Sequence, residues 1–403
     1  MKKIAKLSLV AAVAVAGFTT ANAQPLEEAI KNVDVSGSVV YRYNDYSNDR
    51  EGKVGAGAET QSNNYKVGLN LSSKVNDDLK FNSRFLVASE TGDFASLNYD
   101  GSNANPDLNG DLNVDAALSH VNFAYTGIKN TTVTVGKQGL ATPWTVALDS
   151  DGNEQTGTGI LAMTTVGPVT LAGAYFNQTN LDQSGDNVAL FNVNKEGDED
   201  IATAGAITTL GPVTLDAWYL DAQDIFDSYT IGAKAATELS GVKLGADARW
   251  ASLEEDDADD KNTIAKIVLT ADAGLVDGKL AYAKTGKDGG TTALDNDANT
   301  TLLGWSLFAN GKADADYVQA VLGFDILSNL NLSANYGNLE YTPDDDVTAE
   351  EEEVYAQLLY KMSKNLTTYV RYGTYTKEIS EVGQAADEVN DDVRGRLQVE
   401  YTF

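Results

Sequence analysis

From position 33 to its end the chain repeats one pattern, short runs in which apolar and polar residues alternate one for one. Val35, Val39, Tyr41 and Tyr43 oppose Asp34, Ser36, Ser38 and Arg42; Tyr65, Val67, Leu69 and Leu71 oppose Lys66, Asn70 and Ser72; Phe81, Phe85 and Val87 oppose Lys80, Asn82 and Arg84. Side chains alternate sides along an extended strand, so a period of two predicts strands with one apolar face. The last run is the clearest. Leu397, Val399, Tyr401 and Phe403 share one face, Arg396, Gln398, Glu400 and Thr402 the other, and the chain stops on the aromatic Phe403.

A two-sheet sandwich and a barrel both produce such alternation, and the connections discriminate between them. Short links with tight-turn chemistry, at 75–78, 127–130, 167–168, 211–212, 328–329 and 363–365, alternate with mostly longer polar links such as 44–64, 90–115, 178–200 and 377–393. Short turns on one rim and long loops on the other belong to an outer-membrane barrel. Nine outer loops and eight turns imply an all-β transmembrane antiparallel barrel of about 18 strands, with short periplasmic turns and long extracellular loops. In that count 301–309 belongs to the seventh loop, because a further strand would put the two termini on opposite sides. The segment 164–171 recurs, with one substitution, as 208–215, each centred on Gly-Pro, as expected of two hairpins. Residues 33–403 are expected to form one domain.

Lys2, Lys3 and Lys6, an apolar stretch over 7–18 and Ala21-Asn22-Ala23 read as a signal peptide over 1–23, followed by a short periplasmic leader at 24–32. The apolar stretch of about 12 residues is shorter than the roughly 20 a spanning helix needs, so strands must do any membrane crossing. The expected location is the bacterial outer membrane. With 59 acidic against 29 basic residues the formal net charge is −30, which argues against nucleic acid as a partner. The acidic runs 254–260, 344–346 and 350–353 read as links between strands, either solvated loops or sites that attract cations and bridge to anionic surface lipid. There is no cysteine, which excludes thiol catalysis and thiolate metal sites.

A barrel this wide is not closed by its own side chains, so its interior is expected to hold water. Arg42, Arg84, Arg249, Arg371 and Arg396 lie on the faces opposite their strands' apolar residues and are read as pore-wall bases. The third loop, 139–156, carries Trp144, Asp149, Asp151 and Glu154 and is the expected constriction. Arginines facing these carboxylates would set a transverse field across it. Asp149, Asp151 and Glu154 are also a possible Ca²⁺ set, which takes 6 to 8 oxygen ligands; a plain solvated loop is the alternative. The single histidine, His120, restricts any His-dependent nucleophilic mechanism to one position, and its neighbour Ser119 should point to the other face, so an enzyme such as an outer-membrane lipase is not expected.

A strand ending in Gly136-Lys137-Gln138 followed by an acidic loop resembles the porins, in which the third loop folds into the barrel. The start at 25–37, Tyr41-Arg42-Tyr43, Trp144-Thr145, Gly157-Thr158-Gly159 and the closing Arg396-Leu397-Gln398 resemble, more closely, the major outer membrane protein of Campylobacter and its relatives. That resemblance implies a homotrimeric porin of eighteen strands that passes small hydrophilic solutes and ions with some preference for cations. Outer-membrane lipid and lipopolysaccharide would be its surroundings. A surface adhesin or structural barrel whose acidic loops bind partners is the rival reading.

Overall fold

The computed structural model describes residues 33–48, 59–89, 93–97, 115–149, 152–184, 190–191, 200–256, 261–384 and 386–403. The expected signal peptide and leader, 1–32, lie outside the described residues, as does Asp151. The strands are β1 Val33–Asn48, β2 Glu59–Lys74, β3 Leu79–Ala88, β4 Ala95–Ser96, β5 Asp115–Tyr125, β6 Thr131–Gly139, β7 Thr156–Val166, β8 Val169–Thr179, β9 Ile201–Leu210 and β10 Val213–Ala222. The second half comprises β11 Phe226–Leu239, β12 Val242–Glu255, β13 Lys261–Asp272, β14 Val276–Thr285, β15 Asp316–Leu327, β16 Leu330–Asp344, β17 Val347–Lys361, β18 Leu366–Glu381 and β19 Asp387–Thr402. All but the two-residue β4 build an eighteen-strand antiparallel barrel. β4 continues the sheet above β3 by pairing Ala95 with Tyr65 and Ser96 with Asn64 of β2.

Closure, not stacking, disposes of the sheet edges. β19 pairs along β1, with Val39 opposite Tyr401, Tyr41 opposite Val399 and Tyr43 opposite Leu397. Gly37 and Phe403 exchange backbone hydrogen bonds of 2.9 and 3.0 Å, so the terminal aromatic is locked into the seam. The strand faces then sort as the alternation demands. Outward positions such as Leu280, Leu322 and Tyr372 are 60%, 63% and 66% exposed, an apolar coat that water would not tolerate over such an area but lipid does. Tyr219 and Tyr401 stand outward near strand ends, where aromatic girdles form.

The repeated Gly-Pro links are two-residue turns, Val166 to Val169 and Leu210 to Val213, with Gly167 and Gly211 both at φ +60°. Glycine takes that conformation freely and proline fixes the next residue, which suits a hairpin with glycine first. Each turn is flanked by the same threonine pair, Thr165 with Thr170 at 3.1 Å and Thr209 with Thr214 at 3.0 Å. As expected, 301–309 belongs to the seventh loop, where it forms a small hairpin bridged between Leu303 and Phe308.

The expected placement of the acidic runs fails. Glu350, Glu351, Glu352 and Glu353 do not link strands; they lie within β17, and Glu254 and Glu255 close β12. Glu351 and Glu353 face inward and are buried, whereas Glu350 and Glu352 face outward near the extracellular end and accept from Asn338 and Tyr336. The strand tolerates the run because each inward acid has dedicated partners. Glu351 pairs with Lys377 at 3.1 Å and accepts from the Tyr341 hydroxyl at 2.8 Å, and Glu353 accepts backbone N–H groups of the seventh loop.

Candidate functional site

Among the described residues the barrel interior holds two apolar clusters. In one, Leu140 and Trp144 of the third loop pack with Phe176, Leu181, Phe191, Leu220, Phe226 and Leu253, and with Leu294 of the seventh. In the other, Leu302, Leu307 and Ala309 of the seventh loop pack on Ile264, Ala283, Tyr317, Leu339 and Tyr341. A merely water-filled lumen gives no reason for apolar residues at inward positions near strand tops. They are there because loops cover them.

The third loop, 140–155, is folded inward and fixed at several points. Its base closes through Leu140 N–H to the Gln155 carbonyl at 2.8 Å. Gln155, fully buried, accepts Val146 N–H at 2.9 Å and donates to the Leu294 carbonyl at 2.9 Å. Glu154 meets Arg84 of β3, whose Nε lies 2.8 and 3.0 Å from its two carboxylate oxygens, and the pair is almost completely buried. Ser119 also donates to Glu154, at 3.1 Å. Against the expectation of strict alternation, the register slips between Arg84 and Phe85 so that Ser119 is an unpaired bulge residue, and its hydroxyl turns to the lumen. It bonds Glu154, not His120, whose Nε2 is buried without a hydrogen-bond partner among the described residues. Lys66 of β2 donates to the carbonyls of Asp149 at 2.7 Å and Gly152 at 2.5 Å, a tether that sequence reasoning passed over.

The seventh loop, 286–315, completes the arrangement from the other side of the lumen. Leu294 N–H donates to the Trp144 carbonyl at 2.9 Å and Thr300 N–H to that of Pro143 at 3.1 Å. Asn310 receives the N–H groups of Thr292 and Ala293, each at 3.1 Å, and Lys266 donates to the Thr301 carbonyl at 2.6 Å. Glu353 holds the hairpin tip by accepting from Trp305 and Ser306 N–H at 3.0 and 2.7 Å. The Trp305 ring thereby reaches Tyr355 of β17, centroids 5.1 Å apart, and Tyr46 of β1 at 6.5 Å. Together the two loops bridge from the wall at β2 and β3 to the wall at β17, β19 and β1.

The residues expected to form the constriction therefore divide. Trp144 has no exposed surface and anchors one loop to the other. Glu154 is committed to Arg84 and Ser119, which removes it from the metal set expected with Asp149 and Asp151. The carboxylate that Asp149 approaches comes instead from the seventh loop, since oxygens of Asp149, Asp295 and Asp297 lie within 4.8 Å of one another. This all-oxygen set suits a hard cation such as Ca²⁺. Burial pushes the Asp149 carboxyl up to about 6 against the opposing pull of Lys66. Its partners are remote in sequence; the signal that would have found them is the apolar character of inward Leu253, Ile264 and Tyr317, which requires a covering loop.

All five expected bases face inward, but in different company. Arg84 is paired with Glu154, and Arg249 lies 2.7 Å from Asp216 and 3.1 Å from Thr230. Arg42 donates twice to Gln398 and lies 4.3 Å from the Phe94 ring just before β4. Arg371 donates to Gln357 and Arg396 to Asn44 and Tyr46. Arg394, not singled out from the sequence, donates to Ser306 and pairs with Asp392.

The fold is that of known outer-membrane channels. Pseudomonas aeruginosa OccK5 (OpdH) superposes with a TM-score of 0.69 at 14% identity, over 93% of this chain and 98% of that one. P. aeruginosa OccK2 (OpdF) in complex with glucuronate gives 0.68 at 15%, over 92% and 98%. Acinetobacter baumannii OccAB3 gives 0.69 at 17%, over 92% and 99%. Among curated protein sequences none matches the chain. The model of the Campylobacter major outer membrane protein family matches residues 1–403. Barrel and family point to a channel and not to an enzyme, and the chain belongs to the Campylobacter major outer membrane protein family, a protein of the outer membrane.

Proposed function

We propose that the barrel is a passive diffusion channel for small hydrophilic solutes and ions, cation-preferring, and narrowed by the third and seventh loops acting as one body. The observation that carries this reading is the pair of backbone hydrogen bonds joining Trp144 to Leu294 and Pro143 to Thr300 inside an eighteen-strand barrel. The acidic set Asp149, Asp295 and Asp297 at that junction, in a chain of net charge −30, supports the cation preference and a bound Ca²⁺. Such an ion would be held by these three side chains and would link the loops by its charge. Similar channels solved with glucuronate and with vanillate support small organic solutes as cargo. Assembly as a homotrimer in lipopolysaccharide-rich outer membrane completes the reading.

Single-channel recording in a planar bilayer under a KCl gradient tests it. Stepwise openings with a cation-favouring reversal potential, weakened by Asp149→Asn/Asp295→Asn/Asp297→Asn, are expected. Correctly folded protein that never opens would leave a closed surface barrel. Native mass spectrometry of detergent-extracted protein reads the trimer.

A further inference from the structure

Arg371 and Arg396 occupy directly opposed positions of β18 and β19 on the lumen face. Like charges opposed across a ladder repel, and strands normally avoid the pairing. No ion pair with either arginine offsets it among the described residues, although Glu353 exerts a longer-range pull on Arg371. The hydrogen-bond acceptors of both guanidinium groups are neutral, Gln357 at 2.6 Å for Arg371, Asn44 at 2.7 Å and Tyr46 at 3.1 Å for Arg396. Among the described residues no carboxylate comes within ion-pair distance of either, although the chain has twice as many acids as bases. Glu353 is hydrogen-bonded by the seventh-loop amides, and Asp392 is paired with Arg394.

Further donors converge on the same place. Both guanidinium carbons lie 5.8 Å from the Trp305 ring centroid, Arg371 from β18 and Arg396 from β19. Trp305 Nε1 and Arg394 Nε are buried with no hydrogen-bond partner among the described residues. Tyr355 stands edge-on to Trp305, and Arg371 lies 5.7 Å from its ring. The site is thus rich in N–H donors, poor in acceptors and walled on one side by aromatic rings.

We propose that Arg371 and Arg396, backed by Trp305, form a binding subsite for a small organic carboxylate passing through the barrel. Two guanidinium forks supply the paired N–H groups that a planar carboxylate accepts, and the aromatic wall favours a carbon body over a fully hydrated inorganic anion. The arginines stand on the wall, whereas Asp149, Asp295 and Asp297 project from loops, so the subsite coexists with a cation-preferring passage. The inference rests on the channel reading only for its route of access.

Benzoate is the probe, with inorganic phosphate and benzyl alcohol as controls. In planar bilayers, benzoate should interrupt the KCl current of the wild type in discrete events. Arg371→Gln/Arg396→Gln should shorten them about tenfold, the loss expected for a charge-assisted hydrogen bond, while KCl current persists. Trp305→Leu should shorten them with both arginines in place. Thermal unfolding in detergent, followed by circular dichroism, provides a second reading independent of conduction. Benzoate should raise the wild-type midpoint and leave that of the double glutamine variant unmoved. That variant should itself fold well, since it removes a repulsion, and Arg396→Lys keeps the charge without the fork. Equal effects of benzoate on wild type and double variant, or of phosphate and benzoate on the wild type, would overturn the subsite. Absence of openings with a benzoate-raised midpoint would instead overturn the channel reading alone.

Discussion

Leu294 donates its backbone N–H to the carbonyl of Trp144 at 2.9 Å, joining loops that leave the barrel wall from different strands. The Trp144 side chain lies in the same junction, fully buried against Leu294 and Leu253. The two loops are therefore seated on each other as well as on the barrel wall, and the proposed constriction would be a property of the pair.

Trp144→Ala should uncouple them. Emptying a fully buried aromatic site costs about 3–5 kcal/mol, and the cavity would sit between loops, not in the strand ladder. The variant should fold as a barrel with higher, noisier single-channel conductance. Trp144→Phe should behave nearly as wild type, because among the described residues Trp144 Nε1 has no hydrogen-bond partner to lose. Unchanged conductance in Trp144→Ala would show that the junction does not limit flow.

Glu154→Ala leaves the Arg84 guanidinium buried without its carboxylate. Breaking a buried pair from one side costs about 3–5 kcal/mol, whereas replacing both members by apolar residues is often neutral. Thermal unfolding should thus rank Arg84→Met/Glu154→Met above Glu154→Ala, although the double variant lacks more native contacts. A double variant no better than the single one would mean that the pair contributes attraction, not merely compensation.

Acidity should act through Asp149. Burial raises its carboxyl to about 6, so the folded protein binds that proton more tightly than the unfolded chain does. Stability from this group accordingly rises as pH falls through about 6 and levels off below the ordinary carboxylate range. Charge moves the other way: from pH 7.5 to 5 the junction loses a negative charge, and the cation preference in a KCl gradient should weaken. Asp149→Asn should abolish that step. A wild type whose reversal potential is flat across this interval would remove Asp149 from the conduction path.

How much of this was legible depends on what each residue faces. The alternation of Leu397, Val399, Tyr401 and Phe403 was readable because lipid covers an outward face wherever it lies, so one strand carries its own instruction. Glu350 to Glu353 do not read as strand because a run of like residues hides the alternation: two faces, one towards Tyr341 and Trp305 and the other towards the exterior, carry the same side chain. The bases Arg42, Arg84, Arg249, Arg371 and Arg396 could be placed inward by face alone. Their partners could not, since Glu154, Asp216 and Gln398 are set by loop packing and strand register. Asp295 and Asp297 were invisible for the same reason.

Divalent cations provide the last test, because Asp149, Asp295 and Asp297 meet only if both loops are seated. Ca²⁺ bound at that junction stabilises the folded state by mass action, about 2.7 kcal/mol at a hundredfold excess over its dissociation constant. Added Ca²⁺ should therefore raise the thermal midpoint, and a chelator should lower it again. Asp295→Asn/Asp297→Asn should lose the response while the barrel's circular dichroism persists. Mg²⁺, which demands a tighter octahedral shell and gives up water reluctantly, should act more weakly. Lowering the pH below 6 should weaken Ca²⁺ binding, since the ion must displace the proton from Asp149. Wild-type protein indifferent to Ca²⁺ and chelator alike would leave the three carboxylates as an electrostatic feature of the passage and nothing more.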